Sequence, residues 1–256
     1  MRTEEFGLQF FSLQGRNAIV TGGNSGLGRA FSVALAKAGA DVLVVGLTDD
    51  DGTTRSLVEG AGRRLEFIKA DITQPAVCLD VVQACIDRLG SIDILVNCAG
   101  ICLIADVEDF TREQWDPMIA VNLTAAFDMA REAGLMMRHQ GHGKIINIAS
   151  LFSYLGGRNS PAYAASKAGI AGFTKAYCDE LAQYNVQVNA IAPGYFSTAV
   201  TAAARAAHAD QIVEHIPAGR WGDPADLMGA MVFLASRASD YVNGHLLVVD
   251  GGYLVR

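Results

Sequence analysis

Positive charge is scarce in this chain. Its 256 residues carry 20 Lys and Arg against 27 Asp and Glu, a net charge of -7, which argues against nucleic acid or an anionic membrane surface as partner. Long apolar runs are also missing. Every hydrophobic segment meets a charge or turn signal before the ~20 residues a membrane span needs. The opening MRTEEFGLQFFSLQGR has acidic residues where a secretory leader would have basic ones, so a cytoplasmic protein is expected. Five cysteines (Cys78, Cys85, Cys98, Cys102, Cys178) form an odd set without a C-x-x-C pair, which suits reduced thiols and not a disulfide framework. Cys98 and Cys102 are near one another but lack companion His or acidic residues, so no metal site is expected. No Pro/Gly/Ser-rich linker, long charge run or repeat interrupts the chain. One domain over residues 1–256 is the expectation.

What the chain does contain is alternation. Short buried strands are predicted at 17–20, 41–47, 65–68, 92–96, 144–149, 186–192 and 246–249. Helices are predicted from the first glycine loop through Ala38, then at 75–89, 111–139, 161–184, 198–215 and from Asp223-Pro224 through Ala235. Strands alternating with helices specify an α/β domain with a parallel, doubly wound sheet of about seven strands. In such sheets, ligands gather at the strands' carboxyl ends. Residues 198–215, rich in Ala with few large apolar side chains, suit a lid better than a core, and the segment 195–221 is the expected substrate lid.

The strand 17–20 runs into Thr21-Gly22-Gly23-Asn24-Ser25-Gly26-Leu27-Gly28 and then into a helix. Glycines allow tight turning and close backbone approach, while the helix start offers free N–H groups to a pyrophosphate. The G-x3-G-x-G spacing differs from the common dinucleotide fingerprint. A glycine turn without a ligand is the alternative. A carboxylate at the end of the second strand would bind an adenosine ribose, but Gly46-Leu47-Thr48 stand there and the first acids are Asp49, Asp50 and Asp51. No Lys or Arg occupies that turn or position 25, so NAD is expected over NADP.

Ser150, Tyr163 and Lys167 lie in SLFSYLGGRNSPAYAASK. Tyr163 and Lys167 are four apart, one turn along the same helix face. An ammonium there is expected to lower a phenol pKa of about 10, making Tyr163 an acid/base near neutral pH. Ser150 closes a buried strand and could polarise a carbonyl beside the phenol. A plain helix face is the alternative reading of YxxxK. Asn122, amid apolar neighbours, needs hydrogen-bond partners and serves either a structural role or a proton path.

The glycine loop, Asn97-Cys98-Ala99-Gly100, Asn122, Ser150, YxxxK and Pro193-Gly194 together resemble the short-chain dehydrogenase/reductase family across nearly the whole chain. That resemblance implies a Rossmann-type fold and an oxidoreductase. It implies that Gly22, Asn24, Ser25, Gly26, Leu27 and Gly28 cradle the pyrophosphate. Asp71 and Ile72 would hold the adenine end. Asn97, Ala99 and Gly100 would line the ribose and nicotinamide, while Pro193, Gly194, Phe196 and Thr198 seat the carboxamide. Asn122, Ser150, Tyr163 and Lys167 map onto the family's catalytic tetrad. Tyr163 and Lys167 also touch the cofactor, and Asn122 supports a water between Lys167 and solvent. Cys98 departs from the family, which usually has Asn there.

The phrases GKIINIAS, VQVNAIAPGY, IPAGRWGDPADLMGAMVFLAS and SDYVNGHLLVVDGGYL resemble the family's sugar-acid branch, which holds 2-dehydro-3-deoxy-D-gluconate 5-dehydrogenase and gluconate 5-dehydrogenase. The expected reaction is reversible hydride transfer between NAD(H) and a secondary hydroxyl or ketone of a sugar acid. Arg158 is the first candidate for the substrate carboxylate and Arg220 the second, unless both are surface or interface arginines. Rivals are a 3-oxoacyl thioester or other ketone reductase and a non-catalytic dinucleotide-binding regulator. The resemblance also implies a homodimer or homotetramer.

Overall fold

A computed structural model describes Thr3 and residues 6–256. Seven parallel strands, β1 (Asn17–Thr21), β2 (Asp41–Gly46), β3 (Leu65–Lys69), β4 (Ile94–Asn97), β5 (Gly143–Ile148), β6 (Val186–Pro193) and β7 (Leu246–Val249), lie in the order β3-β2-β1-β4-β5-β6-β7. The direction of winding reverses between β1 and β4. At such a switch point the two connections leave in opposite directions and open a crevice at the carboxyl ends.

Alternation within each strand explains why both faces are covered. In β1, Ala18 and Val20 join one apolar cluster and Ile19 the other; in β2, Val42 and Val44 oppose Leu43 and Val45. The first cluster is completed by Phe31 and Leu35 of α1 (Gly26–Ala38) and Leu234 of α8 (Met228–Ala235). The second takes Val81 and Cys85 of α3 (Pro75–Leu89) with Met129 and Met137 of α5 (Ala125–Gln140). A period of two in the strands and about 3.6 in the helices makes these surfaces match.

The remaining helices are α2 (Thr53–Gly60), α4 (Arg112–Ile119), α6 (Pro161–Leu181) and α7 (Ala202–His215). The helix expected over 111–139 is present but not uniform. Thr111 and Gln114 cap α4 reciprocally, and a π-helical turn at Ala120–Thr124 separates it from α5. Asn122 sits in that turn. The fourth strand runs two residues later at its start than the sequence pattern suggests, because Asp93 leaves the apolar ladder to bind side chains. Residues 198–201 likewise stay outside α7, where Thr201 Oγ1 donates to Phe196 O and accepts from Thr198 N, competing with helical pairing. Among the described residues no helix is long and apolar enough to cross a membrane.

Asp93 ties the sheet's amino edge together. It is 5% exposed and accepts from Arg16 Nη1 at 2.7 Å, Asn17 N at 2.9 Å and Ser91 Oγ at 2.7 Å, with His142 Nε2 at 2.9 Å. Burial alone would raise its pKa, but the hydrogen bonds from Ser91, Arg16 and Asn17 outweigh it and hold the carboxyl below the usual range. Asp93→Ala should cost about 3 kcal/mol in denaturant unfolding, since it strands buried donors. A carboxyl depressed in the fold stabilises above its unfolded pKa of about 4 and loses that contribution as pH falls through the folded value. The gap between wild type and variant should therefore be full at pH 7 and narrow below about pH 4.

Candidate active site

The loop after β1 is shaped by contact of backbone with backbone. A Cβ on Gly28 would lie 2.1 Å from Gly22 O, and one on Gly22 would lie 3.1 Å from Ala99 Cα. Gly22 and Gly26 have φ of +68° and +49°, where side chains are strained. Only glycine lets α1 start this close to the loop before it. Ser25 is the N-cap residue of α1, yet no side chain caps the helix there. Its first N–H groups thus remain available to an anion beside Asn24, Ser25, Gly26 and Leu27. A dinucleotide pyrophosphate fits this cradle on charge and on space.

Thr21 was not singled out from the sequence. Its Oγ1 accepts from Cys98 N at 3.0 Å and Ala99 N at 3.1 Å, fixing the turn after β4 beside the glycine loop. The only signal was a Thr standing immediately before the glycines. Asn97 departs from its expected place: its side chain is turned into the sheet, donating to Ala126 O and Asn147 Oδ1, both at 2.9 Å. It braces β4 against β5 and α5, which leaves the backbone of Asn97 and not its side chain for a ribose. Gly100 does face the cleft. A Cβ there would come 3.3 Å from Asn122 Oδ1 and 3.8 Å from Lys167 Nζ.

Of the four expected tetrad residues, Asn122 of the π turn and Lys167 of α6 flank that glycine, Tyr163 lies one turn before Lys167 on α6, and Ser150 follows the end of β5. Asn122 is fully buried. Its Oδ1 accepts from Ile101 N at 2.8 Å, while Nδ2 donates to Ile101 O at 2.8 Å and Ser166 Oγ at 3.3 Å. With both donors committed, the amide positions the 97–101 turn. Ser150 Oγ accepts from Phe152 N at 3.3 Å and acts on the Tyr163 phenol, and Lys167 Nζ lies 5.5 Å from the Tyr163 ring centroid and donates to Ile148 O at 2.7 Å. Phe152 packs edge-on to Tyr163 at 5.8 Å, a contact no spacing rule reveals.

Electrostatics here correct one expectation. Burial, reinforced by Cys102, pushes the Tyr163 phenol well above its ordinary pKa, and Ser150 only partly opposes this. Burial also pulls Lys167 down to about 8, against the opposing influence of Cys98 and Cys102. Among protein groups alone, desolvation sets both shifts, and the lowering of the phenol by Lys167 anticipated from helical spacing is not among their causes. Burial raises Cys98 to about 12, so this thiol is a poor nucleophile near neutral pH.

The other candidates separate clearly. Ile72 is buried in the apolar cluster that holds Val45 and Val81, leaving only its backbone for a ligand. Asp71 is exposed, but one oxygen is taken by Thr73 N and Oγ1. Pro193 ends β6, and Gly194 N donates to Val249 O at 2.9 Å. The Phe196 ring is buried against Gly222, so its side chain cannot seat a carboxamide. Thr198 stands over the glycine loop, 4.0 Å from where a Gly26 Cβ would be. Arg158 is exposed and makes no hydrogen bond or ion pair among the described residues. Arg220 is committed instead to both oxygens of Asp226, at 2.7 and 3.0 Å, and is set aside as a carboxylate receptor. Tyr195, missed in the sequence, meets Trp221 at 5.4 Å and Tyr253 at 5.3 Å. Burial, with Tyr253 and Cys102 adding to it, pushes its phenol to about 12. Among the described residues no group of three or more His, Cys, Asp or Glu is gathered for a metal ion.

A family model described as enoyl-(acyl carrier protein) reductase matches residues 22–254. The uncharacterized oxidoreductase YgcW of Escherichia coli (strain K12) is 59% identical over 253 residues, covering 98% of this chain and 97% of the relative. The 2-dehydro-3-deoxy-D-gluconate 5-dehydrogenase of Bacillus subtilis (strain 168) is 48% identical over 248 residues, covering 96% and 97%. A crystal structure of gluconate 5-dehydrogenase from Burkholderia cenocepacia J2315, in complex with NADP and tartrate, superposes with a TM-score of 0.92 at 37% identity, covering 97% of this chain and 99% of that one.

Two substitutions probe this geometry. Gly28→Ala should weaken dinucleotide binding at least ~10-fold in fluorescence titration, because the added carbon collides with backbone that cannot give way. Asn122→Ala should lower unfolding stability by about 2–3 kcal/mol, since it orphans the Ile101 N–H and C=O.

Proposed function

Since the chain belongs to the short-chain dehydrogenase/reductase family, we propose that it is an oxidoreductase moving a hydride reversibly between a nicotinamide dinucleotide and a secondary hydroxyl or ketone of a sugar acid. The observation that carries the chemistry is the Tyr163 phenol under the influence of Ser150, with the buried Lys167 ammonium 5.5 Å from its ring. The substrate class rests on likeness to relatives named for gluconate-type acids. When bound, the dinucleotide supplies or accepts the hydride.

The chain's own groups then handle the proton. Ser150 orients the reacting oxygen. Tyr163 gives its phenolic proton to the developing alkoxide in reduction and removes it in oxidation. Lys167 sits where its ammonium stabilises the phenolate, and the charge of a bound nicotinamide would act in the same direction. Asn122 acts by position, keeping Gly100 and Ile101 against the site. Any water path from Lys167 would use backbone carbonyls of the π turn in preference to the committed amide.

The lid reading has support in the chain's path. Phe196 and Gly222 pair as an isolated parallel bridge, so the segment between them leaves and returns at one point. Within it, α7 is interrupted at His208, whose φ and ψ are -138° and 21°. Arg158 remains the candidate for a substrate carboxylate because its guanidinium is uncommitted. We propose a single catalytic domain working in the cytoplasm as a homodimer or homotetramer. Phe127 of α5 is partly exposed beside Phe173 and Tyr177 of α6 and offers an apolar contact face. For the cofactor we propose that both NAD and NADP are accepted. The preference for NAD rested on the lack of nearby cations in the sequence, and the fold brings two to that turn.

A panel of sugar acids, gluconate and 2-dehydro-3-deoxygluconate included, assayed by nicotinamide absorbance should show turnover that falls ~100-fold or more in Tyr163→Phe. Because the phenol is raised, it stays protonated at neutral pH. Alcohol oxidation should therefore keep climbing as pH rises toward 10, and a flat profile would remove Tyr163 as the base. Silence across the panel with dinucleotide binding intact would discard the sugar acid and favour the ketone or 3-oxoacyl thioester alternative. Replacing Arg158 by Ala should raise KM for the acid ~10-fold more than for a neutral analogue.

A further inference from the structure

We propose that the amino end of the sheet, opposite the catalytic crevice, holds a second binding site, for a small polyhydroxylated anion whose carboxylate or phosphate is gripped by Arg16, Lys144 and Arg237. Because the strands are all parallel, the residues that precede or open them collect at one end. Arg16 stands before β1, Asp93 before β4, Lys144 at the second position of β5 and Gln187 at the second position of β6. The turn after α8 adds Ser236, Arg237 and Asp240. Between these groups lies a cavity of about 340 Å³, within the ~300–1,000 Å³ typical of small-molecule sites. The tetrad does not reach it. Lys144 stands four residues before Ile148, whose carbonyl receives Lys167 Nζ, so roughly 13 Å of strand separates the two.

Charges around the cavity do not cancel. Arg16, Lys144 and Arg237 face Asp93 and Asp240, an excess of positive charge in a chain whose net charge is -7. Asp93 is spent on the protein, Oδ1 on Arg16 and His142 and Oδ2 on Asn17 N and Ser91. Asp240 meets Lys144 Nζ at 2.8 Å, but its side chain is 46% exposed, and so open a partner exchanges readily. Lys144 itself is buried. Burial pulls its pKa down against the attraction of Asp240, and Arg16 pushes in the same direction as burial, so an anion set between the two cations would relieve their repulsion. Arg237 makes no hydrogen bond or ion pair among the described residues, and its guanidinium lies 5.0 Å over the Phe10 ring, which orients it without consuming a donor. Arg16 commits only Nη1. The remaining N–H groups of both arginines form forks suited to a carboxylate or phosphate. Ser12, Asn185 and Gln187 add hydroxyl and amide groups to the wall, which suit a ligand's hydroxyls and not an apolar tail.

The test is calorimetric titration of the full chain with glucose 6-phosphate and with gluconate, set against neutral glucose, on wild type, Arg237→Gln and Lys144→Gln/Arg237→Gln. Wild type should bind at least one of the two anions with Kd below about 1 mM, and glucose at least ~10-fold more weakly. Arg237→Gln should weaken that binding about 10-fold, and the double variant should bring it to the level of glucose. Thermal scans check that each variant is folded, and since Arg237 is exposed the single variant decides the matter even if the double one unfolds. A drop for glucose 6-phosphate alone assigns a phosphate head, and a drop for gluconate alone a carboxylate. Only the difference between wild type and variant counts, so gluconate held in the catalytic crevice does not enter. Anions bound no more tightly than glucose, or affinities equal in all three proteins, would overturn the proposal and leave the cluster as a brace for the sheet's amino edge. The hydride-transfer assay depends on neither Lys144 nor Arg237, so its result stands apart.

Discussion

The approach of α1 to the end of β1 sets the terms for the rest of the site. Gly22 and Gly28 touch through backbone atoms at a separation that admits no side chain, and this draws the helix start down to the sheet. Uncapped N–H groups then face the crevice, and Thr21 can reach across to the turn after β4. Arg29 lies on the first turn of the same helix, so its reach to Asp51 follows from that docking. A bulkier loop would lift α1 and change all of these distances together.

Beyond the loop, the site is governed by desolvation. Tyr163 and Lys167 are held among apolar neighbours and two cysteines, and each is driven toward its neutral form. The π turn contributes differently. It spends the Asn122 amide on Ile101, fixing Gly100 against Lys167 with backbone geometry that an ordinary helical turn would not supply.

Much of this was legible beforehand. Strand and helix order followed from apolar period and turn residues, and the glycine loop, Ser150, Tyr163 and Lys167 could be named from spacing because local geometry alone brings Tyr163 above Lys167. Less visible were contacts between residues far apart in the chain. Thr21 to Cys98, Phe152 to Tyr163 and Tyr195 to Trp221 depend on where loops cross, which no periodicity encodes. Asn97 and Phe196 show the opposite error. Their positions matched a ligand-binding pattern, but strand pairing and core packing turned their side chains inward.

By itself the sequence determined the parallel α/β architecture, the glycine loop that opens α1 and the candidates for the groups that would handle the proton, since these depend on hydrophobic period, glycine's conformational range and one-turn helical spacing. Tertiary structure decided their charge states and their partners. Burial reversed the expected shift of Tyr163, Asp226 claimed Arg220, and the packing of α1 and the register of β3 brought Arg29 and Lys69 to Asp51 and Asp49 in a turn that has no cation of its own. Each of these is a balance of desolvation and Coulomb attraction between groups distant along the chain, and its sign depends on separations that only the folded molecule defines.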